Sequence, residues 1–135
     1  MFNGKTMSLL EKSLGVASLR HEVISNNIAN VNTPGFKRSE VTFEESLKKA
    51  LNAQNAKLSM AVTNPDHVNG TPRWGEIEEK IVKEEHTSLR HDGNNVDLDV
   101  EMAQLAMNSI NYYTSVTQLN MKFSKLRHVI SGGRR

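Results

Sequence analysis

Residues 8–36 read SLLEKSLGVASLRHEVISNNIANVNTPGF, and their pattern decides the fold. Counting from Met7, apolar side chains fall at Leu10, Leu14, Ala17, Ile24, Ile28 and Val31. With His21 filling the gap, the steps alternate between three and four residues throughout. That is a heptad seam, the spacing of a helix that lies along another helix. Thr33-Pro34-Gly35 closes the stretch, because proline disfavours helix at the residue before it and glycine supplies the positive φ of a type II turn. A helix is therefore expected from Ser8 to near Asn32, with Met1–Met7 as a lead. His21 reads as a polar seam residue that sets register, not as a ligand.

A second seam occupies the other end of the chain. Leu98, Met102, Leu105, Ser109, Tyr112, Val116, Leu119, Phe123, Leu126 and Ile130 again alternate by four and three. Asp97 or Asp99 introduces this helix as N-cap, and Glu101 adds charge that suits the positive end of the helix dipole. Lys122, Lys125, Arg127 and His128 suit the negative end, and Gly132-Gly133 stops it. From Leu98 to Ser131 such a helix is about 50 Å long. Two seams at the two ends predict a mainly α fold, with the terminal helices in an antiparallel coiled-coil pair. Each seam is one narrow stripe, and Ala103, Ala106, Met107, Tyr113 and Met121 lie off it. A pair of this kind is marginal alone and gains stability by packing laterally with copies or partners.

Between the helices, Phe43, Leu47 and Leu51 share one helical face, and Thr42 with Glu45 makes a capping box, predicting a short helix over about 43–53. Asn55–Trp74 reads as loop, punctuated by Asn64-Pro65, Asn69-Gly70 and Thr71-Pro72. Trp74, the single tryptophan, either anchors an interface or caps the local core. Glu76–Glu85 fits a helical face through Ile77, Ile81 and Val82, but turns on both sides favour an extended segment. Arg90–Asn95 is a turn signal. The chain thus divides into an N-terminal helix and turn (1–36), a short helix with a loop-rich, partly extended insert (37–95) and a C-terminal helix (96–135), together one elongated unit.

Composition narrows the chemistry. At 135 residues, with 37% hydrophobic and 5% aromatic content, the chain buries much of its apolar surface against partners. Its 17 basic and 15 acidic residues nearly cancel, and Arg134-Arg135 is the only basic cluster. A soluble coiled-coil adaptor, or a weak nucleic-acid binder using Lys122–Arg135, is the alternative reading. A DNA-binding coiled coil needs a denser basic stripe, since phosphate contacts supply most nonspecific affinity. There is no cysteine, so no disulfide and no thiolate site. No run is long enough for a membrane span, and Glu11 and Lys12 interrupt the only apolar stretch near the N-terminus, so no cleavable signal peptide is expected. His21, His67, His86, His91 and His128 show no metal-ligand spacing, and no phosphate loop or nucleophile elbow is present. Glu76, Glu78, Glu79, Glu84 and Glu85 read as a solvated face. No catalytic, cofactor or metal residue, no small-molecule substrate and no nucleic-acid partner is expected.

The asparagines carry more. Ser25, Asn26, Asn27, Asn30 and Asn32 crowd around Ile28 and Val31. Asparagine is a poor helix former because its amide competes for backbone groups. The run is either a frayed helix end or a surface for close packing, since neutral amides donate and accept without burying charge. Asn26-Asn27-Ile28-Ala29-Asn30, followed at once by Thr33-Pro34-Gly35-Phe36, resembles the N-terminal signature of the bacterial flagellar rod, hook and hook-associated axial proteins. Asp92-Gly93-Asn94-Asn95-Val96-Asp97, with Asn108 and the Tyr112-Tyr113 pair beyond it, resembles the C-terminal signature of their proximal rod subgroup. Hook and distal-rod relatives carry larger inserted domains. The short insert agrees with the short rod proteins, and among these the Thr63–His67 element and Asp92–Asp99 fit the most membrane-proximal member. The resemblance covers essentially the whole chain and is weakest in the middle.

That resemblance, and not periodicity, implies a setting and a role. The protein is expected to be a structural subunit of the basal-body rod crossing the periplasm and cell wall. It assembles helically with copies of itself and other rod subunits, meeting the membrane-ring protein and its rod adaptor below. It passes the flagellar type III export gate without a cleaved signal peptide, as a poorly ordered monomer. Phe43 and Leu47 resemble a Phe-x-x-x-apolar element that docks on that gate.

Overall fold

A computed structural model describes residues 4–55, 79–85, 87 and 90–132. The elements, in chain order, are α1 (Gly4–Ala29), β1 (Ser39–Thr42), α2 (Glu44–Asn55), β2 (Lys80–Lys83) and α3 (Leu98–Gly132). The fold is mainly α, with the long terminal helices packed on each other and a short helix and a two-stranded sheet between them in sequence. Contacts gather into two compact units, Met1–Glu40 with Lys83–Arg135, and Val41–Val82. Trp74, the predicted loop around it, His67, His86 and Gly133 lie outside the described residues.

In the first unit α1 and α3 run antiparallel. Ser13 Oγ donates to Ser115 Oγ at 3.4 Å, Asn108 Nδ2 to Ala17 O at 2.8 Å and Asn27 Nδ2 to Glu101 Oε2 at 3.1 Å, so later residues of one helix meet earlier residues of the other. The helix α1 starts at Gly4, a turn earlier than expected, and ends at Ala29, not near Asn32. Beyond it Asn30 N reaches both Asn26 O (3.2 Å) and Asn27 O (3.1 Å), and Asn30 Nδ2 returns to Asn26 O at 2.8 Å. The amide thus competes for the last turn's carbonyls and ends the helix. Phe36 N then bonds Thr33 O at 3.3 Å across Gly35, whose φ is +70°, which is the expected type II turn.

The packed faces differ from the heptad register. On α1 the buried residues are Val16, Ala17, Val23, Ile24 and Asn27. Ala17 and Ile24 belong to the expected seam, and Leu10, Leu14, Ile28 and Val31 are half-buried, whereas His21 is exposed. On α3 the buried residues are both polar, Glu101 and Asn108. Leu105, Ser109, Val116, Leu119 and Leu126 are half-buried, while Leu98, Met102, Tyr112, Phe123 and Ile130 are exposed. The row Glu101–Asn108–Ser115 faces α1, and the row Met102–Phe123–Ile130 does not. Two causes act together. A helix of 3.6 residues per turn drifts off a strict seven-residue repeat. In addition, Glu101 and Asn108 find polar partners across the interface, which fixes the roll of α3 about its axis.

In the second unit Thr42 Oγ1 donates to Lys80 O at 3.3 Å, so the hydroxyl serves the sheet and does not cap α2. Leu47 N bonds Phe43 O at 3.0 Å, which places the N-cap at Phe43 and corrects the capping-box reading. Phe43 is buried, Leu47 half-buried and Leu51 exposed. β2 bears out extended structure for the described part of Glu76–Glu85.

Candidate functional site

The two signature segments, far apart in sequence, meet within the first unit and form a junction. Asn94 sits at its centre, fully buried. Its Nδ2 group lies 3.1 Å from Asn30 O, 3.0 Å from Val31 O and 2.9 Å from Thr33 O. These carbonyls follow the end of α1, where Asn30 O and Thr33 O also accept from Thr33 N (3.0 Å) and Phe36 N (3.3 Å) within the turn. On the other side Asn94 Oδ1 accepts from Val96 N at 2.7 Å. Asp92 Oδ1 accepts from Asn94 N at 3.1 Å, and Asp92 O accepts from Gly35 N at 2.9 Å. Gly93 adopts φ +81°, and a Cβ there would stand 3.7 Å from Gly35 Cα, so the two turns lie glycine to glycine. Arg90 Nη1 reaches Val31 O at 3.2 Å.

Beside this layer lies a second one built on Asn27, Asn95, Arg38 and Glu101. Asn27 pairs with the backbone of Ser39 in both directions, Nδ2 to Ser39 O at 2.8 Å and Ser39 N to Oδ1 at 3.0 Å. The amide thus imitates a neighbouring strand. Asn95 Oδ1 accepts from Arg38 N at 2.6 Å, while its Nδ2 donates to Glu84 O at 3.0 Å and Thr87 Oγ1 at 2.7 Å. Arg38 spreads its guanidinium over Glu101 Oε1 (2.5 Å), Gln104 Oε1 (3.0 Å), Glu84 Oε1 (3.1 Å) and Glu40 Oε2 (3.4 Å). The Glu101 side chain is 0% exposed and that of Arg38 12%. Burial works to lower the Arg38 pKa, but the hydrogen bond to Glu101 and the charges of Glu101, Glu40 and Glu84 outweigh it, and the net shift is upward. Arg38 is therefore a permanent cation that ties α3 to the start of β1.

The remaining signature residues frame this core. Val96 is buried, Ile28, Phe36 and Gly93 are half-buried, and Asn26, Ala29, Pro34 and Asp97 are exposed. Asp97 is the N-cap of α3: its Oδ1 accepts from Asp99 N (3.0 Å) and Val100 N (3.4 Å), which decides between the two candidate aspartates. The sequence reading missed the Arg38–Glu101 pair. Arg38 follows the signature immediately, but Glu101 looked like an ordinary first-turn acid, and nothing in spacing marks a glutamate as buried. Of the amides crowded around Ile28, Asn27 proves to be neither a frayed end nor an open packing surface, because it is committed inside the chain, as are Asn94 and Asn95 of the turn. What the arrangement does is hold shape, and among the described residues no group of three or more His, Cys, Asp or Glu is placed to hold a metal. No described helix is long and apolar enough to cross a membrane.

A family model described as flagella basal body rod protein matches residues 16–37, the buried half of α1 together with its turn. That segment is one side of the junction. The flagellar basal body rod protein FlgB of Bacillus subtilis (strain 168) is 37% identical over 134 residues, which covers 99% of this chain and 98% of that protein. The chain belongs to the flagellar basal body rod protein family. FlgB of Borrelia hermsii is 43% identical over 110 residues, covering 79% of this chain and 82% of that protein. FlgB of Escherichia coli (strain K12) is 30% identical over 129 residues, covering 91% of each chain. The family is structural, not enzymatic, and the similarity to the Bacillus subtilis protein runs through both signatures and the insert between them.

Proposed function

We propose that this chain is a structural subunit of the proximal rod of the flagellar basal body, packing its terminal helices against copies of itself and other rod subunits and joining the rod to the membrane ring and its adaptor. The observation that carries this reading is the division of labour on α3. Its inward row is polar, with Glu101 held by Arg38 and Asn27 at the junction, whereas Met107 and Ile110 are each 65% exposed, Tyr113 69% and Ile130 76%. A monomeric protein rarely leaves that much apolar side chain in water without a partner to cover it. The junction then fixes the angle at which the exposed rows are presented. Rod subunits reach their site through the type III export gate, and no cleaved signal peptide is required of the chain for this route.

The decisive experiment combines mass spectrometry of purified basal bodies with electron microscopy of a deletion strain. Presence of the protein in the rod, and membrane rings without rods in the deletion strain, are expected. Normal rods in its absence would sink the reading.

Two variants separate assembly from folding. Ile110→Asp, on the exposed row, is expected to leave the circular-dichroism spectrum of the purified chain unchanged and to lower incorporation into basal bodies at least tenfold. Leu119→Asp, on the half-buried row, is expected to lower both. Equal incorporation of Ile110→Asp and the unaltered chain would show that the exposed row meets no neighbour.

Phe43 is 5% exposed in the folded chain, so its docking on the export gate belongs to the unfolded chain in transit. Phe43→Ala is expected to reduce secretion into the medium severalfold while changing helix content little. Secretion at the unaltered level would leave Phe43 as packing alone.

A further inference from the structure

Asn108, buried in the α1–α3 interface, uses only half of its side chain among the described residues. It is 6% exposed, and its Nδ2 donates to Ala17 O at 2.8 Å. Its Oδ1 accepts no hydrogen bond among the described residues. A buried acceptor without a donor is unfavourable, and native structures rarely leave one so. Asn108 lines an open cleft of about 280 Å³ between the two helices, with Ser18 and His21 on one side and Tyr112 and Tyr113 on the other. The tyrosine rings meet edge to face, 6.1 Å apart at 79°, and form an aromatic wall. The cleft is smaller than the roughly 300–1,000 Å³ typical of small-molecule sites, and no cluster of reactive groups lines it. Its size suits a single long side chain with a hydrogen-bond donor at the tip.

The chain carries such a side chain in a matching setting. After Glu101 there is no Asp or Glu to the end of the sequence, so every charge on the rest of α3 is a cation. Met121, Lys122, Lys125 and Val129 share one exposed face, at spacings that place them side by side on a helix. Neither lysine has an ion-pair or hydrogen-bond partner among the described residues. An ammonium on an apolar stem fits both features of the cleft, the orphan oxygen and the aromatic faces, which attract cations. Lys122 cannot enter the cleft of its own chain, because it lies on the same helix as Asn108, about 21 Å further along.

We infer that the Asn108 cleft receives the C-terminal third of α3 from a second copy of the chain, with Lys122 donating to Asn108 Oδ1 and Met121 covering the tyrosine wall. This rests on the proposed rod function and adds to it the face by which adjacent copies meet. Lys122→Glu, which turns the donor into an acceptor at an exposed site, lowers incorporation at least tenfold, while Lys122→Gln, which keeps a donor, retains most of it.

The chain has no cysteine, so paired cysteines report the contact without background. Ser18→Cys and Met121→Cys are placed together in the full chain, and purified basal bodies are oxidised. Covalent multimers of this chain are expected from the double variant and from neither single variant. If the double variant is present in the basal bodies and forms no multimers, or if a benzophenone attached at Ser18→Cys captures a different protein, the inference falls and the rod function stands. If the chain is absent from basal bodies altogether, both fall.

Discussion

Asn94→Asp is expected to open the junction and to cost at least about 3 kcal/mol of stability. The two side chains have nearly the same shape, so the change is electrostatic. In place of an amide that donates towards three carbonyls at 2.9–3.1 Å, the variant sets a carboxylate oxygen against them, at a site with no exposure to water. Asn94→Ala removes the same donor without the repulsion and is expected to cost less, about 2 kcal/mol. Burial among carbonyl oxygens raises the pKa of the new carboxyl above its value in the unfolded chain. A group raised in the folded state contributes most below its unfolded pKa and loses that contribution as pH rises. The loss of stability in Asn94→Asp is therefore expected to be smaller near pH 4 than at pH 7. Urea unfolding followed by circular dichroism gives the magnitude. Hydrogen exchange at the Gly35 and Val96 amides, which bond to Asp92 O and Asn94 Oδ1, locates it. A cost below about 1 kcal/mol at pH 7 would mean that the amide is not what closes the two signature segments.

The second large effect is expected at Arg38. Arg38→Met preserves much of the side-chain length and removes the guanidinium, leaving Glu101 fully buried with Asn27 Nδ2 as its remaining donor. Breaking a buried ion pair from one side costs about 3–5 kcal/mol, because the surviving charge stays desolvated. Removing both charges is a different matter. Arg38→Met with Glu101→Leu is expected to recover more than half of the loss, since well-packed apolar residues replace buried ion pairs with little penalty. Asn27 still holds Ser39 through two hydrogen bonds in the double variant. The difference between the double variant and the sum of the singles measures the coupling. Should the double variant be as unstable as Arg38→Met alone, Arg38 acts through its bonds to Glu84, Glu40 and Gln104, and not through the pair.

These residues show what was legible in the sequence and what was not. The long helices, the Pro-Gly turn, the aspartate cap and the short insert each have a local chemical cause, and each is visible as spacing or as a turn residue. The roll of α3 is not local. Met102 and Glu101 are adjacent, one apolar and one charged, and a periodicity argument assigns the apolar one inward. The structure turns the charged one inward because Arg38, 63 positions earlier, waits there with Asn27. The same limit applies to the asparagines. Neutrality pointed the run at Asn26–Asn32 towards close packing, but only the fold shows that Asn27 holds the Ser39 backbone, and that Asn94 and Asn95, legible only as turn residues, serve the end of α1 and the backbone around Arg38. His21, placed on the seam by counting, is exposed for the same reason: the interface turns towards Val16, Val23 and Asn27, where the polar partners lie.

The hydrogen bond from Gly35 N to Asp92 O bears on how such proteins diversify. It means that the polypeptide leaves the helical pair at residue 36 and rejoins it at residue 91 through neighbouring points. Whatever lies between them is a cassette mounted on a closed port. The entropy of joining the ends of a loop rises only with the logarithm of its length, by about 0.6 kcal/mol per doubling. A cassette several times longer therefore adds little strain to the port, provided that Gly35, Gly93 and Asn94 keep it shut. One helical chassis can in this way carry inserts of very different length without redesign of the junction that holds their ends.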